Sequence, residues 1–369
     1  MYIYDQPNWP NFTFNGTALT QALGTVRYKQ GKLLGRLADW GFDPLLKINA
    51  DTLVTEVLSN GLIEGEELPA NEVRSSVATR LGLPTAGLQT PSHHVDGVVE
   101  MMLDATTSAH EPVTEQRLGA WQATLFPTGR SGLRAVQVGQ YRDHPDSDPM
   151  QVISGALGRT NIHFEAPSSR RVPKMMNELL RYIEDDQPTD PIIKAGVVHL
   201  WFLTIHPFDD GNGRIARALT DLLLTRADGG SQRFYSLSNA ILTNRKYYYR
   251  QLEHTQKGSL DITNWLQWFL EIVDKAIQLT EEQLHLVFNK ARFWHKHREL
   301  KFNQRQQLVL DKVLDGYQGK LTSLRYANIT AVSHDTATRD INDLVGKGIL
   351  RAGPAGGRST AYILVDDQR

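Results

Sequence analysis

Two apolar runs of helical character, residues 195–205 and 215–224, lie on either side of the segment His206-Pro-Phe-Asp-Asp-Gly-Asn-Gly-Arg-Ile-Ala-Arg217. The arrangement predicts helix, turn, helix, with every chemically capable side chain crowded at the turn. Gly211 and Gly213 permit positive φ, so successive backbone N–H groups can curl into a concave anion nest. The helix that begins near Gly213 points its positive end at the same place. Arg214 and Arg217 are three residues apart and share a helix face, ready to fork onto phosphate oxygens. A carboxylate at the lip, Asp209 or Asp210, suits a divalent metal that brings in polyphosphate. Taken singly, each residue has a plainer reading: a cap for His206, an ordinary Asn-Gly turn, an Arg217–Asp221 surface pair. Taken together they describe a nucleoside triphosphate site with a histidine beside it.

The pattern His-Pro-Phe-x-Asp/Glu-Gly-Asn-Gly-Arg-x-x-Arg is the signature of Fic proteins, which move AMP from ATP to a protein hydroxyl, and the chain resembles that family at every fixed position. The lead-in His199-Leu-Trp-Phe-Leu-Thr-Ile205 is similar as well. The resemblance implies His206 as the general base and Asp210 as the holder of Mg²⁺, with Asp209 at the variable position. It implies Gly211, Asn212 and Gly213 as a cradle for the α- and β-phosphates, and Arg214 and Arg217 on the polyphosphate, Arg217 at its γ end. Such a transfer asks mainly for positioning and charge neutralisation. A neutral imidazole, with an ordinary pKa of about 6.5, can take the hydroxyl proton. The rate is therefore expected to decline in acid, already by about pH 5.

At 369 residues the chain exceeds one comfortable core, so two or three domains are expected. A net charge of −1 argues against wholesale coating of nucleic acid or a membrane surface. No apolar run spans a bilayer, and the start Met1-Tyr-Ile-Tyr-Asp-Gln-Pro lacks the features of a signal peptide, so a cytoplasmic location is the expectation. The absence of cysteine excludes disulfides and thiolate metal sites.

Three parts are expected: residues 1–110, an aromatic start followed by helices over 19–40 and 53–62; 111–290, a helical core with one extended stretch; and 301–369, a small separate module. The extended stretch, 151–154 and 160–164 around Gly155 and Gly158, reads as a hairpin. It resembles the Fic flap, which aligns a target segment by backbone pairing, so residues 151–164 are the expected contact for a target protein. His163 on that hairpin is read as structural. Tyr248 and Tyr249, in Asn244-Arg-Lys-Tyr-Tyr-Tyr-Arg-Gln-Leu252, fall where the family often places an aromatic near adenine, and Tyr248 is taken as the ATP contact.

Upstream, Ser59-Asn-Gly-Leu-Ile-Glu-Gly65 resembles the inhibitory helix of many Fic proteins, Ser/Thr-x-x-x-Glu-Gly/Asn, whose glutamate pairs with the second arginine of the core motif. Glu64-Gly65 matches; Asn60 stands at the hydroxyl position, with Ser59 one residue early. The plainer reading makes Glu64 the start of an acidic surface run with Glu66 and Glu67. The segment 73–82 resembles the stretch preceding the core in a large bacterial subgroup.

The C-terminal part reads as a winged helix: helices over 303–316 and 323–331, Ser333 as N-cap of a candidate recognition helix 335–347, and a Gly-rich hairpin after it. Thr336, Thr338, Arg339 and Asn342, with Arg351 and Arg358 on the wing, make residues 333–358 a candidate DNA contact, although ten Lys/Arg against seven Asp/Glu in this part is a thin phosphate footprint. The expected fold is therefore mainly α: a Fic helical core with a β-hairpin flap, a helical N-terminal extension and a C-terminal winged helix. The expected function is a Mg²⁺-dependent protein adenylyltransferase using ATP, acting on Ser, Thr or Tyr and held back by Glu64. Its alternatives are removal of AMP from protein and a nucleotide-sensing, DNA-associated regulator. A homodimer is a further expectation of the resemblance.

Overall fold

The computed structural model describes residues 1–38, 42–85, 87–154, 161–186, 188–230, 232–317, 319–353 and 360–365. Trp40, Gly155, Gly158 and Arg358 lie outside the described residues. The fold is mainly α, and by contact the chain divides into two compact units, Met1–Thr280 and Glu281–Arg369.

The first unit opens with α1 (Gly16–Ala38), α2 (Phe42–Glu64), α3 (Ala70–Arg80), α4 (His93–Thr107) and α5 (Glu115–Leu125). Two short antiparallel ladders follow, β1 (Arg130–Ser131) with β2 (Arg134–Ala135), and β3 (Gln151–Ser154) with β4 (Asn161–Glu165). The β1–β2 ladder was not anticipated; two residues per strand carry no periodic signal. Then come α6 (Val172–Glu184), α7 (Pro191–Ile205), α8 (Asn212–Asp228), α9 (Leu237–Leu242), α10 (Arg245–Gln256) and the long α11 (Thr263–Lys296), in which the boundary between units falls.

α7 and α8 form the centre. Asp190 caps α7, its carboxylate accepting from Ile192 N–H at 2.8 Å, and Pro191 begins the helix where a missing N–H costs nothing. Apart from Pro191 and Lys194 every α7 residue is buried, which is why the run shows no polar face in sequence. Trp9 and Phe12, from the aromatic start, pack edge-on against Trp201 of α7, so the N-terminus is core rather than tail. Tyr4 packs edge-on to Phe164 and donates to Glu165 O at 2.9 Å, bracing β4 of the flap.

α2 is embedded among α3, α4, α8 and α9. Its Glu56, 4% exposed, accepts from Ser236 Oγ at 2.7 Å and Ser238 N at 3.0 Å at the start of α9. A buried charge survives only with such partners.

In the second unit α12 (Gln304–Leu314), α13 (Ser323–Thr330) and α14 (His334–Gly346) precede the antiparallel pair β5 (Leu350–Ala352) and β6 (Tyr362–Leu364). Leu321 bridges to Tyr362. Val309, Leu310, Tyr326, Ile341 and Leu344 form its own core. Asn303 and Ser333 cap α12 and α14 with side-chain oxygens.

Candidate active site

The chain leaves α7 through His206, whose φ of 52° is left-handed, a conformation that a non-glycine residue adopts at a cost. Gly211, at φ 87°, opens α8 as its N-cap. The turn is locked from inside. Asn212 bridges Phe208, accepting from its N–H at 2.9 Å and donating to its carbonyl at 2.7 Å. The Asn212 side chain thus closes the loop, and what it offers outward is its main-chain N–H, one of the unpaired donors of the helix's first turn.

Arg142, 3% exposed, ties this turn to the flap stem: its Nε donates to His206 O at 2.7 Å and one Nη to Pro167 O at 2.5 Å. Burial brings its pKa down to about 10. Asp209 is spent on structure, accepting from Gln137 N at 2.9 Å and pairing with His144 at 2.9 Å. Asp210 differs. One of its oxygens takes the Gly211 N–H at 2.6 Å, the side chain is 41% exposed, and Arg214 is 3.9 Å away.

His206 Nδ1 lies 3.3 Å from Leu203 O. The Nδ1–H donated there leaves Nε2 as the unprotonated, proton-accepting nitrogen. Burial, with the Arg142 charge behind the ring, lowers the His206 pKa to about 4. That corrects the expectation of an acid decline set by an ordinary histidine, for the imidazole stays neutral well below pH 6.5.

Both arginines of the turn are buried, Arg214 7% and Arg217 1% exposed. Glu64 Oε1 meets Arg217 Nη2 at 2.7 Å, while Asn60, fully buried, accepts from Arg217 Nε at 2.8 Å. Asn60 thus fills the place of the family hydroxyl with an amide oxygen. A Cβ on Gly213 would collide with Glu64 Oε1, so the carboxylate rests directly on the backbone nest at the α8 N-terminus. Burial opposes ionisation of Glu64, but Arg217, with Arg214 and the Tyr249 hydroxyl, outweighs it and holds the pKa below the ordinary value. Arg214 Nε and Arg217 Nη1 are buried donors with no partner among the described residues. Guanidinium donors left so, beside a nest, match an anion with many oxygens.

Two cavities meet here, of about 810 Å³ and about 960 Å³. Glu64, Val152, Ile153, His206 and Gly213 border both. The first is walled by the 125–134 segment and residues 209–214, the second by α10. Tyr248, 1% exposed, lines the second, with its hydroxyl 2.9 Å from His199 Nε2 and its ring stacked on Trp268. His199 is kept neutral by burial, its pKa lowered to about 3. The neighbouring Tyr249 turns towards the end of α2, donating to Ile63 O at 3.0 Å and Glu64 at 3.3 Å. His163 spans Ser154 Oγ at 2.6 Å and Glu253 at 2.8 Å, joining the flap to α10.

Sequence reasoning did not find Arg142, His94, Glu66 or the anchoring role of Tyr249. Each acts on a partner far along the chain, and only the Tyr141-Arg142 and His93-His94 pairs stand out locally, without a spacing that names a role.

The geometry gathers a neutral histidine and two buried arginines with unpartnered donors around one helix N-terminus. Residues 112–224 match the Fic/DOC family, and residues 2–83 match a domain of unknown function, DUF4172. The chain is 27% identical over 119 residues to a protein of Aquifex aeolicus named "Probable protein adenylyltransferase", and 30% identical over 87 residues to the protein adenylyltransferase fic-1 of Caenorhabditis elegans. These matches take in 32% and 22% of this chain, and 35% and 17% of the relatives' own lengths. A crystal structure of a Fic family protein from Desulfovibrio desulfuricans G20 aligns over 98% of this chain and 99% of its own, with a TM-score of 0.53 at 19% identity. A Fic-1 fragment from C. elegans aligns over 74% and 76%, with a TM-score of 0.51 at 18% identity. The part of the chain that carries the turn, residues 112–224, is thus similar to the Fic/DOC family.

Proposed function

We propose that the chain is a protein adenylyltransferase held inactive by its own Glu64. The observation that carries this is the joint placement, around one helix N-terminus, of a neutral His206 and two buried arginines with unspent donors. The target hydroxyl oxygen attacks the α-phosphorus of ATP, its proton passes to His206 Nε2, and the bond to the bridging oxygen breaks to release pyrophosphate. Arg214, Arg217 and the 211–213 backbone take up the charge of the leaving group. Asp210, with a half-exposed carboxylate at the lip, would hold a Mg²⁺, which would supply neutralisation of the polyphosphate charge. The target segment lies along β3, which has one unpaired edge and borders both cavities, in line with a flap that pairs backbone to backbone.

Glu64 occupies the guanidinium and nest that the terminal phosphates require. Glu64→Gly is therefore expected to raise transfer of label from α-³²P-ATP onto the protein and onto lysate proteins by at least tenfold, and His206→Ala in that background to remove it. An unchanged rate in Glu64→Gly would take Glu64 out of regulation.

Removal of AMP from protein is the second reading, favoured by Glu64 and His206 bordering the same cavities. The lowered pKa of Glu64 makes it a weak base, which places addition ahead. A DNA-associated role has less support. Thr336 and Thr338 are spent on bonds to Ser333 Oγ and His334 O, and the acidic Asp335 and Asp343 flank the exposed Arg339 and Asn342. Among the described residues no helix is long and apolar enough to cross a membrane. We place the enzyme in the cytoplasm.

A further inference from the structure

The Glu64–Arg217 contact has a counterpart. α2 ends with Gly65 in the left-handed region at φ 83°. Gly65 N–H bonds Leu62 O at 3.1 Å and Glu66 N–H bonds Gly61 O at 3.0 Å. These paired 5→2 and 6→1 bonds are a Schellman stop, which reverses the chain within two residues. The reversal turns the side chains before and after the glycine to the same place. Glu64 reaches Arg217, and Glu66 Oε2 reaches Arg214 Nη1 at 2.9 Å. The other Glu66 oxygen is 2.5 Å from His94 Nε2, in the first turn of α4. Both oxygens of Glu66 are therefore engaged, and Arg214 is pinned between Glu66 on one side and the Phe126 ring, 5.0 Å away, on the other.

We infer that Glu66 is a second clamp: one helix stop carries two carboxylates, each occupying one of the two arginines meant for polyphosphate, with His94 holding the second in place. The inference rests on the reading of Arg214 and Arg217 as phosphate ligands. An exposed acid would not need a partner on each oxygen, and Arg214, 9% exposed at its side chain, has no solvent-facing reason to recruit one. While both clamps are shut, neither guanidinium has its full fork to offer. An apparent affinity falls by the fraction of molecules in the competent state, so each clamp weakens nucleotides that carry β- and γ-phosphates. A nucleoside monophosphate makes no use of Arg214's outer donors and is indifferent to the Glu66 clamp. The clamps also differ in construction. Glu64 ends a buried helix, whereas Glu66 lies beyond the stop and depends on a side chain of another helix.

The test is calorimetric titration of ATP and, separately, AMP into the full chain and its Glu64→Gly, Glu66→Gln and Glu64→Gly/Glu66→Gln variants, with label transfer measured in parallel. Glu66→Gln keeps the shape and removes the charge. ATP is expected to bind roughly tenfold more tightly to the double variant than to Glu64→Gly, with AMP affinity the same in those two. His94→Gln should shift ATP in the same direction by a smaller factor. Equal ATP affinity in Glu64→Gly and the double variant would overturn the second clamp, and so would an equal gain for AMP, which would signify general loosening. Tighter ATP binding in the double variant without label transfer in any variant would leave the clamp standing and sink the transferase reading instead.

Discussion

His206→Ala, made in the Glu64→Gly background, is expected to lower AMP transfer by ~10²–10⁴-fold, the range a positioned general base contributes, while ATP affinity stays within about twofold. The split follows from placement. On the proposed reading Arg214, Arg217 and the 211–213 backbone meet the phosphates, whereas His206 meets only the proton. The pH dependence should be unusual for a histidine base. Burial and the nearby Arg142 bring the folded-state pKa down to about 4, so the neutral, active imidazole persists from there upward. Between pH 7 and pH 5 the transfer rate should be nearly flat, with the loss appearing as the pH approaches 4. An acid limb centred near 6.5 would mean that the ring is far better solvated than the structure has it, and that Arg142 does not act on it.

The largest stability effect is expected at Arg233. Its guanidinium bonds Asp221 at 3.1 Å and Asp228 at 3.0 Å and lies 3.9 Å over the Tyr235 ring, with all three charged side chains at most 5% exposed. Tyr235 and Gln30 also bond Asp228. Burial, with Glu56 nearby, pushes the Asp221 pKa well up, and Arg233 is the charge that opposes it. Arg233→Met would strand two buried carboxylates, and breaking a buried pair costs about 3–5 kcal/mol. For a unit of this size that is a fall in Tm on the order of 10 °C. A fall under about 2 °C by scanning calorimetry would show that the acids find water or a proton cheaply. Arg233→Met/Asp221→Leu should recover part of the loss.

The parts of this site that could be read in the sequence are those that are local. Residues 195–224 carry their own helix, turn and helix, and the glycines and arginines lie within a few positions of each other. Glu64 was legible because its motif resembles a known inhibitory pattern, and the geometry adds that Asn60 serves with an amide oxygen. Glu66, adjacent to that motif, shows in sequence only as one member of an acidic run. Its partner Arg214 is 148 residues away, and no spacing rule spans that distance. The three tyrosines 247–249 show the same limit at closer range. Helical register puts Tyr248 on His199 and Tyr249 on Glu64, a choice made by tertiary packing. The Arg233 cluster was equally hidden, since buried ion pairs and surface ones look alike in sequence.

From Asn49 onward α2 enters the core: Val57 and Ile63 are fully buried, and Glu56 is bonded into the start of α9. The end of α2 therefore cannot swing away as a lever without unfolding its neighbours. Release is confined to the tip, a fraying of the last turn around Gly61–Glu66 that breaks the paired bonds of the stop and leaves the rest standing. Opening of that kind is a sub-global event with its own free energy, far below that of the whole unit. In hydrogen exchange the amides of Gly65 and Glu66 should exchange much faster than those of residues 53–60, and ATP should speed the first set while leaving the second unchanged. On the proposed reading, an activator would be whatever binds the frayed tip, and a mutation that merely weakens the helix end would mimic it from a distance.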